Sequence, residues 1–162
     1  MPPAREPVSK RRSAKPARSR PAAGRSAMAV SQRKTRGRGG DVLAQLRAIC
    51  LALPEAQEKI SHGEPTWFAG KGKVFAMFDN HHHGGEHISV WLPAPLGMQE
   101  ALIENDPKRY WRPPYLGVRG WIAVVLDAKP DWGVVAGLVE QGFRLMATQK
   151  LIARLPVPDE GE

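Results

Sequence analysis

The chain has 162 residues, one cysteine, and 24 Lys/Arg against 16 Asp/Glu, for a formal charge of +8. The charge is concentrated: residues 1–40 hold twelve Lys/Arg and the single acid Glu6, for +11, while residues 41–162 hold twelve Lys/Arg and fifteen Asp/Glu, for −3. Cys50 alone excludes an internal disulfide and suits a reducing, cytoplasmic setting, no apolar run reaches membrane-spanning length, and the N-terminus lacks the apolar stretch of a secretory signal.

Residues 1–40 are rich in Arg, Ala, Pro, Ser and Gly and nearly devoid of large apolar side chains. Such a segment cannot bury enough surface to offset ordering entropy, so a disordered basic tail is expected. Lys10, Arg11, Arg12, Arg33, Lys34, Arg36 and Arg38 would attract any polyanion without sequence preference. Met28 offers a second start just ahead of the first helical pattern, and we expect residues 1–27 to be upstream sequence outside the native protein. Its composition matches a transit peptide, but Pro2, Pro3, Pro7, Pro16 and Pro21 oppose an amphipathic helix there.

About 120 residues remain, enough for one domain with a modest core. Asp41 is a candidate N-cap, with Leu43, Leu46, Cys50 and Leu53 at helical spacing and Pro54 as the stop. Glu55–Pro65 reads as a polar connection. Thr66–Ala69 follows, then the turn Gly70-Lys71-Gly72. Lys73–Asp79 predicts a strand with Val74, Ala76 and Phe78 on one face and Phe75 and Met77 on the other. After a polar hairpin loop at Asn80–Glu86, His87–Leu92 predicts a strand with Ile88, Val90 and Leu92 inward and Ser89 and Trp91 outward. Leu96–Glu104 predicts a short helix, with Met98, Leu102 and Ile103 on one face. Asp106–Arg119, with three prolines, reads as irregular. Gly120–Leu126 is rich in β-branched residues and predicts a strand. Asp131 caps a last helix to about Leu155, weakened at Gly142; residues 156–162 form a short C-terminal tail. Short strands on hairpin-length loops imply an α+β domain of two layers, an antiparallel sheet with helices on one face.

These residues resemble a known family. Leu53-Pro54-Glu55-Ala56, His62-Gly63-Glu64-Pro65-Thr66-Trp67, Gly72-Lys73-Val74-Phe75-Ala76, Ile88-Ser89-Val90-Trp91-Leu92, Tyr115-Leu116-Gly117 and Gly120-Trp121-Ile122 together look like the MmcQ/YjbR family, over about residues 41–155. The resemblance implies a CyaY/frataxin-like, double-wing fold: an antiparallel sheet flanked by its terminal helices. It implies DNA binding, with no established catalytic set. Trp91 stands where many relatives carry Lys, which implies one cation fewer on that sheet face.

The residues themselves offer several chemistries. His81, His82, His83 and His87 are candidate metal ligands, but neighbours on a strand point to opposite faces, so a solvated hairpin tip is the expectation and no metal or cofactor is expected. Cys50, at helical spacing among leucines, is expected in the core rather than as a nucleophile. Gly70-Lys71-Gly72-Lys73 lacks the Ser/Thr and the helix of a phosphate loop. His62 and Glu64 could form an acid–base pair for a hydrolase or transferase; we expect no enzyme. The densest cluster is Lys108, Arg109, Tyr110, Trp111, Arg112 and Tyr115, followed by Arg119 and Trp121. Arginine pairs phosphate bidentately and aromatics stack bases; the same residues could equally anchor a proline-rich loop on the sheet, with Trp111 and Trp121 as packing anchors. Lys108, Arg109, Tyr110, Arg112, Tyr115 and Arg119, with Lys73 and Trp91, form the expected nucleic-acid or ligand surface. The expectation is non-enzymatic, mainly electrostatic DNA binding without base-specific readout, since no helix-turn-helix or zinc-finger spacing exists. The alternative is a module for a small anion or a peptide at loop 108–121. No membrane partner is expected.

Overall fold

A computed structural model describes residues 40–82 and 85–158. The basic tail before Gly40, with its seven candidate cations, lies outside the described residues, as do His83 and residues 159–162. Helix α1 covers residues 40–51. Six strands follow in one sheet: β1 Ala56–Ser61, β2 Glu64–Ala69, β3 Val74–Asn80, β4 Ile88–Pro93, β5 Tyr110–Trp111 and β6 Trp121–Val125. Helix α2, Met98–Asn105, stands between β4 and β5, and α3, Trp132–Met146, and α4, Gln149–Ile152, close the fold. The strand order is β1-β2-β3-β4-β6-β5, and every neighbouring pair is antiparallel. The protein is therefore an α+β fold on an open antiparallel sheet, as its patterning implies. Among the described residues no helix is long and apolar enough to cross a membrane.

The main core lies between one sheet face and the helices. Leu46 and Cys50 of α1, and Val135, Val139 and Phe143 of α3, meet Trp67, Phe78, Val90, Leu92, Ile122 and Val124 of the sheet. Phe75 and Phe143 meet edge to face at 5.2 Å. Burial pushes the Cys50 thiol far above its ordinary pKa, with the Glu58 charge adding to it, which makes it an inert core residue. A bidentate ion pair ties α1 to the edge strand: Arg47 donates to both Glu58 oxygens at 2.7 and 2.9 Å, and Trp67 Nε1 donates to Oε2 at 3.1 Å. Arg47 holds the Glu58 carboxyl below its ordinary pKa, against the opposing effect of burial, with Trp67 helping.

Four local expectations are corrected. Glu55–Pro65 is not a plain connection: Ala56–Ser61 forms β1, paired with β2 from Ala56↔Ala69 to Ser61↔Glu64. Its turn residues, His62 at φ 53° and Gly63 at φ 82°, have the two positive φ values of the favoured two-residue hairpin turn. The faces of β3 also differ. Trp67 pairs Ala76 and Phe68 pairs Val74, so Phe75 is the extra residue of a bulge. The bulge puts Phe75 and Ala76 together in the main core and leaves Val74 with Met77 on the other face. Asp41 lies inside α1, which is already helical at residue 40. The last helix breaks after Met146: Ala147 is extended at ψ 156°, and α4 restarts after Thr148.

Asp131 does cap α3, its Oδ1 accepting from Gly133 N at 3.0 Å and Val134 N at 3.2 Å. Gly142 is a point of close approach rather than a weakness. A Cβ there would meet Phe75 O at 3.2 Å, Pro93 Cδ at 3.2 Å and Pro93 O at 3.3 Å. The strand pairing of β3 with β4 runs from Asn80↔Ile88 only to Met77↔Trp91, and α3 lies against the chain just beyond its end.

Candidate functional site

The sheet face opposite the helices carries a second apolar cluster. Trp91 of β4 and Trp121 and Ala123 of β6 are buried there, with Val74, Met77, Trp111, Leu116 and Met146 against them. Trp91 and Trp111 meet edge to face at 6.1 Å, and Trp91 Nε1 donates to Ser89 Oγ at 3.2 Å. Trp91 thus points away from the main core, as alternation demands, yet it is covered. The cover is the chain from Arg112 to Gly120, which returns over the sheet without a helix or strand of regular length.

That cover is held in shape from within. Gln99, the buried residue of α2, donates from Nε2 to Gly117 O at 2.7 Å and Trp121 O at 2.5 Å. Gly117 N donates to Pro113 O at 2.9 Å, and Leu116 N donates to Pro114 O at 2.7 Å. The second bond closes a three-residue turn on Tyr115, whose φ is 65°. A γ-turn with positive φ is a rare and strained form, and a tyrosine in it has no glycine-like freedom to relieve it. The turn leaves Tyr115 84% exposed, so no packing contact explains the strain.

Between this loop and the β1–β2 hairpin lies a groove of about 790 Å³. Trp91, Trp121 and Met77 contribute its apolar part; Tyr115, Arg119, Lys73 and His62 contribute polar and charged groups. The bulge at Phe75 matters here, because it turns Val74 and Met77 toward the groove. Four of the eight residues expected on the domain's binding surface therefore come together: Lys73, Trp91, Tyr115 and Arg119. The other four do not line it. Tyr110 pairs with Val124 in β5 and is buried in the main core, where burial raises its phenol pKa above the ordinary value. Arg109 sits 3.5 Å from Asp106 and Arg112 4.0 Å from Glu100, and Lys108 is exposed elsewhere.

The charges separate these residues further. Arg47, Arg109, Arg112, Arg144 and Arg154 each have a carboxylate within 4.0 Å. Among the described residues Arg119 has none, and neither has Lys73. The groove therefore carries positive charge that no described carboxylate neutralises. His62 is the residue that sequence reasoning did not join to this surface. Its signal was the His62-Gly63 dipeptide between two strands, which places the turn but not the loop it faces. Glu64 opposes Ser61 in the β1–β2 register and does not line the groove. His81 Nδ1 lies 2.8 Å from Gly85 O and His87 Nδ1 lies 3.0 Å from Asp127 Oδ1; among the described residues no three His, Cys, Asp or Glu side chains gather as a metal site.

An open six-stranded antiparallel sheet, with helices on one face and a loop-covered groove on the other, defines a two-layer α+β domain. A family model described as YjbR matches residues 51–145. The chain belongs to the YjbR family. Among solved structures it is similar to the Deinococcus radiodurans protein DR2400, which carries a DUF419 domain: 19% identity, 74% of this chain and 91% of that chain covered, and a TM-score of 0.56. At that identity the likeness is one of fold. No curated protein matches the chain.

Proposed function

We propose that the protein is a non-enzymatic, cytoplasmic DNA-binding module in which the outer-face groove supplies the short-range contact. One observation carries the reading. Arg119 and Lys73, cations without a carboxylate partner among the described residues, line the same groove as Tyr115, whose ring is exposed. Phosphate recognition asks for the first kind of group and base stacking for the second. The tail adds long-range attraction through its twelve cations, a term that falls steeply with salt. The domain alone carries −3, so most of the non-specific affinity belongs to the tail.

The test is a salt series of DNA titrations on the full chain and on a chain lacking residues 1–39. The full chain should bind weakly, without sequence preference, and lose affinity as salt rises. The shortened chain should lose most of the binding at low salt and keep a smaller, less salt-sensitive part. Unchanged affinity after truncation would remove the tail from the account.

A second reading is favoured by the groove's size: about 790 Å³ lies within the range of roughly 300–1,000 Å³ typical of small-molecule sites. On that reading the same groove takes a small anion or an anionic peptide, and the tail is incidental. A shortened chain that binds such a ligand and ignores DNA at every salt concentration would select it.

A further inference from the structure

Three of the four described helices give a duplex little to hold. α2 carries no cation, and the cations of α1 and α3, Arg47 and Arg144, are each ion-paired, Arg144 to Glu140 at 2.8 Å within its own helix. None of these three can lie in a major groove and neutralise the phosphates on either side, as duplex-reading helices do. Arg119, with no carboxylate partner among the described residues, sits instead in a concavity beside aromatic rings. A stacked base pair offers its edges to a groove reader, while its faces are covered by the neighbouring pairs. An aromatic side chain in a concavity reaches the face of a base only when that base has left its stack.

Tyr115 is built for that contact. Its γ-turn points the ring into solvent at the edge of the groove, and Pro113 and Pro114 stiffen the approach. The Gln99 bonds to Gly117 and Trp121 fix the far side of the loop. A loop backbone held this way loses little freedom on binding, so the stacking free energy is not consumed in ordering the loop. Arg119 follows four residues later on the short 3-10 turn Gly117–Arg119, with Lys73 lining the groove from the start of β3. Arg119 and Lys73 thus bring two cations to the groove from separate elements. The twelve cations of residues 1–40 favour a polyanion over a free nucleotide.

Resting on the nucleic-acid reading above, we propose that the groove is a site for an unpaired nucleotide of a single strand, with Tyr115 as the stacking face and Arg119 and Lys73 as the phosphate contacts. Single-strand binding should then exceed duplex binding wherever salt has suppressed the tail.

The experiment uses the full chain and four probes: an oligothymidylate, a duplex of equal length, thymidine monophosphate and inorganic phosphate. Affinities are measured at low and at raised salt for the native chain and for Tyr115→Ala, Tyr115→Phe, Arg119→Ala and Arg109→Ala. At raised salt the native chain should prefer the oligothymidylate to the duplex. Tyr115→Ala should weaken the single strand about tenfold, the scale of one lost stacking contact, and leave the low-salt duplex affinity unchanged. Tyr115→Phe should restore the preference, Arg119→Ala should weaken the single strand, and Arg109→Ala should change nothing, since Arg109 already faces Asp106. Native-like single-strand affinity in Tyr115→Ala overturns the proposal, as does an equal loss for single strand and duplex. Equal affinity for thymidine monophosphate and for the oligothymidylate assigns the site to a free nucleotide and overturns the strand claim. Binding of phosphate alone with no gain from the base removes the stacking face. If the native chain binds none of the nucleic-acid probes even at low salt, the broader reading fails instead.

Discussion

The two faces of this sheet are closed in different ways. The inner face meets α1 and α3 through aliphatic and phenyl side chains that interdigitate, with one buried-edge ion pair at Arg47–Glu58. The outer face is closed by a loop whose shape rests on two prolines, a strained tyrosine and one buried glutamine. Helices on a sheet fill space to native density, and the groove of about 790 Å³ lies on the other face. A loop cannot interdigitate along a whole sheet, and the remainder on the outer face is the groove. The inner face therefore determines stability, and the outer face determines what the molecule can hold.

The sharpest test of that division compares two tryptophans. Trp67 is fully buried under α1 and donates to Glu58; Trp121 is nearly buried but lines the groove. Trp67→Ala should cost about 3–5 kcal/mol, because the cavity cannot collapse and Glu58 loses a donor. Trp121→Ala should cost less, since part of its space already opens to solvent. Chemical denaturation of both variants measures the gap. Equal losses would mean that the outer cluster is a second core and that the groove closes in solution.

The next effect concerns how closely α3 approaches the sheet. Gly142→Ala should destabilise by about 1–3 kcal/mol, because the added methyl meets backbone oxygens of two strands that cannot move apart freely. Gly137, in the same helix, has open space where the methyl would sit, with nothing within 4 Å of it. Gly137→Ala should therefore stabilise by roughly 0.5–1 kcal/mol through helix propensity. Thermal melts of the pair read out opposite signs from one chemical change. A gain at both positions would show that the strands yield to the helix.

A smaller effect belongs to pH. The Glu58 carboxyl has a pKa lowered by Arg47, so it binds a proton less readily in the folded chain than in the unfolded one. Its contribution is fully present above the unfolded-state pKa and is lost as pH falls through the lowered folded value. Native chain and Glu58→Gln should differ in stability at neutral pH and converge in acid, below the ordinary carboxylate range. A difference that persists unchanged into strong acid would place the effect in packing rather than charge.

Much of the inner face was legible in the sequence, because it obeys periodicity. Leu46 and Cys50 on α1, the β4 alternation Ile88-Val90-Leu92 and the Asp131 cap are local patterns with local causes. β1 was not legible. Its six residues, AQEKIS, contain one large apolar side chain, Ile60, and that one is 69% exposed. An edge strand of this kind is held by its ladder and by Arg47, eleven residues away in sequence, and neither leaves an alternating apolar pattern. The Phe75 bulge was hidden for a related reason: a run of apolar residues looks the same in either register, and only pairing with Trp67 and Phe68 decides it. The site was half legible. Composition pointed to the aromatic and basic stretch 108–121. It could not separate Arg119 from Arg109 and Arg112, because that distinction lies in the carboxylates Asp106 and Glu100 that the fold brings beside them. Nor could it bring Lys73 and His62 to the same groove, since that takes the hairpin and the returning loop together.

The smallest effect bears most directly on function. A non-glycine residue at positive φ gives up about 1–2 kcal/mol of local conformational preference, and Tyr115 at φ 65° has no burial to set against it. Tyr115→Gly removes that strain but adds freedom to the unfolded chain, which offsets roughly 0.5–1 kcal/mol of the gain. The net change in stability should be within about 1 kcal/mol and on the stabilising side. The same variant has no ring, so its affinity for a single strand should fall as far as that of Tyr115→Ala. Melting curves and oligothymidylate titrations on one protein sample measure both. More stability with less binding is the signature of a residue held in a strained conformation for its contact with a ligand. If Tyr115→Gly instead melts well below the native chain, the ring is structural after all, the loop closes the outer face as the helices close the inner one, and the contrast between the two faces disappears.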